Sequence, residues 1–190
     1  MPMIRRLLAA FSVACALAVV AVAPASAQAP KLPPNVDPQN AIIMQTTKGP
    51  VIFVLRSDIA PQHAERIKTL AREGYYDNVP FHRVIEGFMA QTGDGQYGNG
   101  TGGSRYPNLP AEFSNVPFKR GTVGMARASS PNSANSQFFI TFGDASFLNG
   151  QYTVIGQVVS GMENVDKIKR GEPVQNPDKI ISMKVAADVK

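Results

Sequence analysis

The sequence predicts a mainly β domain, a barrel or sandwich whose open ends are covered by helices. Eight short runs rich in β-branched and aromatic residues recur between Gly, Pro and Asn turn signals. Helical spacing of apolar residues occurs only twice among them. The 190 residues show no internal repeat and no composition change that would mark a second domain, and they are enough to bury a substantial core.

Residues 1–27 read as an export signal rather than as fold. Arg5-Arg6 precedes an apolar run from Leu7 to Val22, and Ala25-Ser26-Ala27 supplies a small-x-small cleavage site before Gln28. The run is short for a membrane span of ~20 residues, so removal is preferred to anchoring. Cys15, the only cysteine, lies inside it. An acylated Cys15 is set aside, because the apolar run continues past it and Ser12 stands where a large aliphatic belongs. The predicted mature chain is periplasmic, with release outside the cell as the alternative. It has no thiol chemistry and no stable membrane association, since no other stretch is long and apolar enough to cross a bilayer.

Residues 28–39, with Pro30, Pro33, Pro34 and Pro38, predict an extended, mobile leader. Residues 40–190 form the predicted domain. Without Arg5 and Arg6 the chain carries 17 basic against 14 acidic side chains. The basic residues are scattered, with Lys119-Arg120 and Lys167-Lys169-Arg170 the densest places, so no nucleic-acid footprint is present.

Ala41–Thr46 and Val51–Arg56 are strand-like, and Thr47-Lys48-Gly49 turns between them. Pro61 suits the first turn of a helix in which Ala64, Ile67, Leu70 and Ala71 recur at helical spacing, and Gly74 is placed to end it. No strong N-cap residue precedes Pro61. His63 falls near the polar face and is expected on the surface. Phe81–Ile85 and Phe88–Thr92 predict two strands around a tight turn at Glu86-Gly87. Gly121–Ala126, Gln137–Phe142, Thr153–Val159 and Ile180–Val185 are further strands, and Glu163–Lys169 a short second helix.

The chemistry centres on Phe81–Gly95, read FHRVIEGFMAQTGDG. It sets one arginine, Arg83, among aromatic, thioether and amide side chains. No Ser-His-Asp order, nearby carboxylate pair or His/Cys ligand set accompanies it, so hydrolytic and metal chemistry are not indicated and no cofactor is expected. Gly93-Asp94-Gly95-Gln96-Tyr97-Gly98 matches GxGxxG literally, but a phosphate cradle needs a helix opening directly behind the glycines, and Asn99–Pro110 cannot supply one. Asn99-Gly100-Thr101 fits a glycosylation acceptor. In Gln137-Phe138-Phe139-Ile140, strand parity puts Phe138 and Ile140 on one face and Gln137 with Phe139 on the other. With the first pair in the core, an outward phenylalanine beside an amide suggests a shallow groove, to which Met125-Ala126 and Phe147-Leu148 add apolar surface.

Phe81-His82-Arg83-Val84-Ile85, the run Gly87 to Gly95, Gly100-Thr101-Gly102-Gly103, Ser136-Gln137-Phe138-Phe139-Ile140 and Phe147-Leu148-Asn149-Gly150 resemble, in order and spacing, the signature blocks of the cyclophilins. These are peptidyl-prolyl cis-trans isomerases. The resemblance covers the chain from about Ala41 and implies a closed eight-stranded antiparallel β-barrel capped by two α-helices. Position by position it implies that Arg83 is the catalytic arginine, and that Gln91 and Gln137 hold the substrate backbone and orient the arginine. Phe88, Met89, Phe139 and Leu148 would wall a proline pocket, with Ala126 and Arg127 the edge along which the peptide lies. His82 matches a groove-rim histidine, and Tyr152 a position often held by histidine. Phe147 stands where many eukaryotic members have tryptophan, which implies weakened cyclosporin binding. The implied partners are proline-containing unfolded or flexible polypeptides, met by a monomer whose isomerase activity assists folding of exported proteins.

The residues suit that reaction without the family. A prolyl amide resists rotation with a barrier of ~18–20 kcal/mol because its C–N bond is partly double. A fixed cation that interacts better with the twisted amide lowers that barrier, and no nucleophile is required. From another class, a peptide-binding or chaperone module with incidental isomerase activity would use the same groove with fewer residues. Nucleotide binding through the glycine loop is a distant third.

Overall fold

The computed structural model describes residues 31–189; the expected export signal lies outside them. Eight strands form one antiparallel sheet. They are β1 (Ala41–Thr46), β2 (Gly49–Leu55), β3 (Arg83–Ile85), β4 (Met89–Thr92), β5 (Thr122–Met125), β6 (Phe138–Thr141), β7 (Val154–Ser160) and β8 (Ile180–Val185), arranged β3-β4-β6-β5-β7-β2-β1-β8. The helices are α1 (Pro61–Arg72) and α2 (Met162–Asp166). Among the described residues no helix is long and apolar enough to cross a membrane.

The expected closure of the barrel is not made. β3 and β8 are the two edges of the sheet and form no ladder with each other. Only an isolated bridge, Pro80 with Lys179, spans the seam, beside backbone bonds from Phe81 N to Asp178 O (2.9 Å) and from Ile180 N to Val79 O (2.8 Å). The reason is local. β3 is three residues long, the chain enters it through Pro80, which has no N–H to donate, and its outer edge is occupied by Gly171, which exchanges two backbone hydrogen bonds with Val84 at 2.8 Å.

Strand alternation sorts the apolar residues into two layers. Phe53, Phe81, Val84, Ala90, Phe138 and Ile140 fill the inside of the curl, where α1 adds Ile67 and Leu70. Met89, Phe118, Phe139, Ala145, Leu148 and Val154 form a separate cluster on the other face. That second cluster is the floor of the candidate site.

α1 lacks a side-chain cap at Ala60, yet its first turn is not left open. Glu112 accepts the backbone N–H groups of Gln62 (3.2 Å) and His63 (3.1 Å), a carboxylate at the positive end of the helix supplied from some fifty positions away. His63 is therefore not on the surface as expected. It is fully buried, with Nδ1 2.6 Å from the same carboxylate, so Nδ1 carries the proton. Burial pushes the His63 imidazolium pKa down, more than its contact with Glu112 pushes it up. Gly74, at φ +70, ends the helix as expected, and Tyr75 N bonds back to Leu70 O at 3.0 Å.

The leader is not free along its whole length. Leu32 and Val36 pack against a small cluster of Ala41, Ile43, Ile52 and Ala186, and Ala187 N donates to Pro38 O at 3.0 Å. Two apolar side chains dock this segment on the sheet.

Candidate active site

Strand register builds the site. Arg83 on β3 lies opposite Gln91 on β4, Gln91 opposite Phe139 on β6, and Phe139 opposite Gly124 on β5. All four belong to one row across four neighbouring strands. Phe138 and Ile140 point into the core as the parity predicts, which turns Phe139 to the opposite face.

A directed chain of hydrogen bonds follows the row. Gln137 Nε2 donates to Gly100 O (3.0 Å) and Gly102 O (2.8 Å), using both amide hydrogens. Its Oε1 must then face Gln91 and accepts from Gln91 Nε2 at 3.0 Å. Gln91 Oε1 is thereby presented to Arg83, whose Nη1 donates to it at 3.4 Å. On its other side the guanidinium donates through Nε to Glu172 Oε1 at 2.5 Å.

The carbonyls that start this chain belong to the glycine-rich loop, and Asp94 holds that loop. Its buried carboxylate accepts backbone N–H bonds from Gln96, Tyr97, Asn99, Gly100 and Gly102 at 2.8–3.2 Å. Burial alone would raise its pKa, but the backbone donors outweigh that and hold it down at about 2. The N–H groups that would cradle a phosphate are thus occupied from within, which explains why the literal GxGxxG match is not a nucleotide site.

Beside the row is a hollow of about 400 Å³, lined by Arg83, Phe88, Met89, Gln91, Ala126, Arg127, Phe139, Phe147, Leu148, Gln151 and Tyr152. Phe139 stacks on Phe118 beneath it (centroids 5.7 Å) and meets Tyr152 edge-on (5.9 Å). Phe88 and Phe147 face each other across the rim at 5.1 Å. Arg127 is folded back, donating to Gln151 O from Nε and Nη2 and to Ala128 O and Ser129 O from Nη1, with its guanidinium 4.5 Å from the Tyr152 ring. Ala126 and Arg127 also border a second hollow of about 320 Å³, shared with Gln137 and the glycine loop.

All the expected site residues but one converge on these two adjoining hollows. The exception is His82, expected on the groove rim. It is buried beneath the glycine loop, and a Cβ at Gly100 would stand 2.9 Å from its Nε2. Strand alternation is the cause, since Arg83 faces the groove and its neighbour must face away. Burial also pushes the pKa of His82 down, against a smaller opposing effect of Asp94. Sequence reasoning missed Gln151, Asp94 and Glu172. Asp94 could have been found, because an acid among six glycines has many backbone donors within reach; Glu172 gave no local signal.

The chain matches the family described as "Cyclophilin type peptidyl-prolyl cis-trans isomerase/CLD" over residues 41–185. It belongs to the cyclophilin-type isomerases. A probable peptidyl-prolyl cis-trans isomerase of Brucella suis biovar 1 is 56% identical over 190 residues, covering 92% of this chain and 97% of that one. A peptidyl-prolyl cis-trans isomerase of Helicobacter pylori is 40% identical over 137 residues, covering 70% and 82%. Among solved structures, cyclophilin AquaCyp293 from Hirschia baltica superposes with a TM-score of 0.76 at 29% identity, covering 82% of this chain and 77% of that one. A cyclophilin-type isomerase of Cryptosporidium parvum, solved in the presence of the dipeptide Ala-Pro, gives 0.71 at 29% identity, covering 76% and 98%. The enzyme is thus a cyclophilin-type peptidyl-prolyl cis-trans isomerase.

Proposed function

We propose that Arg83, Gln91 and Gln137 carry out this isomerisation on proline-containing segments of unfolded or flexible polypeptides, with the proline ring seated among Phe88, Met89, Phe139 and Leu148. The observation that carries the assignment is the hydrogen-bond chain from Gln137 through Gln91 to Arg83 at the wall of an apolar hollow. The Ala-Pro dipeptide present with the Cryptosporidium parvum relative supports a proline-sized occupant.

In this reading the ring is immobilised by apolar contact while the chain on its N-terminal side turns. Arg83 donates to the proline nitrogen or the neighbouring carbonyl. That contact accelerates rotation only to the extent that it strengthens as the amide twists and loses its partial double bond. Gln91 and Gln137 fix the plane of the guanidinium and meet the peptide backbone. Ala126 and Arg127 supply the edge along which the substrate lies, and Phe147 and Tyr152 complete the rim.

The export pattern of residues 1–27 supports a periplasmic enzyme, acting as a monomer on exported chains whose prolyl bonds isomerise slowly during folding. N-terminal sequencing of the fractionated product tests the export assignment, and finding the intact Met1 in the cytosol overturns it. A protease-coupled assay on a panel of X-Pro peptides tests the residue roles. Arg83→Ala should lower kcat/KM by about 10²-fold with the fold intact, the scale of losing one preorganised donor; an unchanged rate removes the role of Arg83.

A further inference from the structure

The Arg83 guanidinium is gripped from two directions, and only one of them belongs to the row of strands. Gln91 takes Nη1 from β4, whereas Nε is taken by Glu172, an exposed residue in the segment between α2 and β8. That segment is bound to β3 along its edge. Gly171 exchanges paired bonds with Val84, and Val174 N donates to His82 O at 3.1 Å, so Glu172 is carried between two backbone attachments that flank Arg83 on both sides in sequence.

We propose that Glu172 is a positioning residue for catalysis, holding the Nε edge of Arg83 so that the remaining guanidinium donors are presented to the substrate amide. This rests on the assignment of Arg83 as the catalytic cation. An arginine has five N–H donors in a rigid plane. With Nε–H on Glu172 and one Nη1–H on Gln91, that plane is fixed at two points and three donors are left on a group that lines the hollow. Gln91 alone, at 3.4 Å and uncharged, is a weak hold on a long side chain. A charge-assisted bond donated to a carboxylate is the stronger one. The arginine and glutamate side chains are 39% and 56% exposed, so the pair matters little to the fold, and its removal should act on the reaction rather than on folding.

The test compares Glu172→Ala and Glu172→Gln with the unaltered protein, using exchange NMR on an X-Pro peptide together with the Arg83 Nε–H resonance. Glu172→Ala should lower kcat about fivefold with KM changed less than about twofold, since orientation rather than substrate contact is lost. Glu172→Gln, which keeps an acceptor without the charge, should recover at least half of that loss. In the unaltered protein kcat should fall as salt rises and the charged contact is screened, a dependence that Glu172→Gln should lack. The Nε–H resonance should shift and exchange faster in Glu172→Ala, at an unchanged melting temperature. Wild-type kcat in both variants, or a faster Glu172→Ala enzyme, overturns the proposal. Arg83→Ala in the same assay separates the two claims: if it is inactive while both Glu172 variants are normal, only the role of Glu172 fails, and if it is active the assignment of Arg83 fails with it.

Discussion

Gly124 stands directly across the β5–β6 ladder from Phe139, and a Cβ placed on it would lie 2.6 Å from the ring atom Cζ of Phe139 and 2.6 Å from Cε1 of Phe118. The bare backbone there is what allows the two rings to stack as the floor of the apolar hollow. Gly124→Ala should therefore push Phe139 into the hollow. The expected cost is about 1–3 kcal/mol of stability from overpacking. In a peptide assay KM should rise more than kcat falls, because the pocket is narrowed and the arginine row is untouched.

The amide chain has a polarity that can be reversed. Gln137→Glu is nearly isosteric but offers no donor to Gly100 O and Gly102 O, and it sets a carboxylate against two carbonyl oxygens. A fall of about tenfold or more in kcat/KM is expected, together with shifted amide resonances at residues 100–103. Unshifted loop resonances would show that the loop does not read the Gln137 amide.

Asp94 links acid stability to the same loop. Its folded-state pKa of about 2 lies below the ordinary value of 3.8, so its stabilisation is present in full above about pH 4 and is lost as pH falls toward 2. Asp94→Ala takes the charged acceptor from five backbone N–H groups and should cost about 2–3 kcal/mol in urea unfolding at pH 7. Its stability should also vary less between pH 4 and 2 than that of the unaltered protein.

The two histidines act at higher pH and with the same sign. Burial depresses both His63 and His82 below 6.5, so as pH drops through that value the unfolded chain gains protons that the folded one refuses. Stability is complete above about pH 7 and declines below 6.5. Thermal melts from pH 8 to pH 5 should show a falling Tm, with a shallower slope in His63→Gln.

Most of the architecture is written locally. Turn residues and period-two alternation place β1 and β8 at their observed limits, and the parity of Phe138 and Ile140 places Phe139 on the groove face. What local pattern cannot show is a partner far along the chain. His63 looks exposed on a helical wheel until Glu112 and its loop cover that side, and the start of α1 looks uncapped for the same reason. His82 is misplaced by position within the motif, although the alternation that turns Arg83 outward already turns its neighbour inward. Closure of the sheet depends on how much of β3 remains for pairing once Pro80 and Gly171 have taken its flanks, and Glu172 reaches Arg83 from 89 positions away.

The pairing of Ile42 with Val185 joins the first strand to the last. During synthesis one side of β1 therefore has no neighbour until β8 has left the ribosome, and the curl cannot be completed piecemeal from its beginning. Contacts so distant along the chain make for slow acquisition of structure. This isomerase is thus itself a late finisher, its curl incomplete for as long as β8 is still being made.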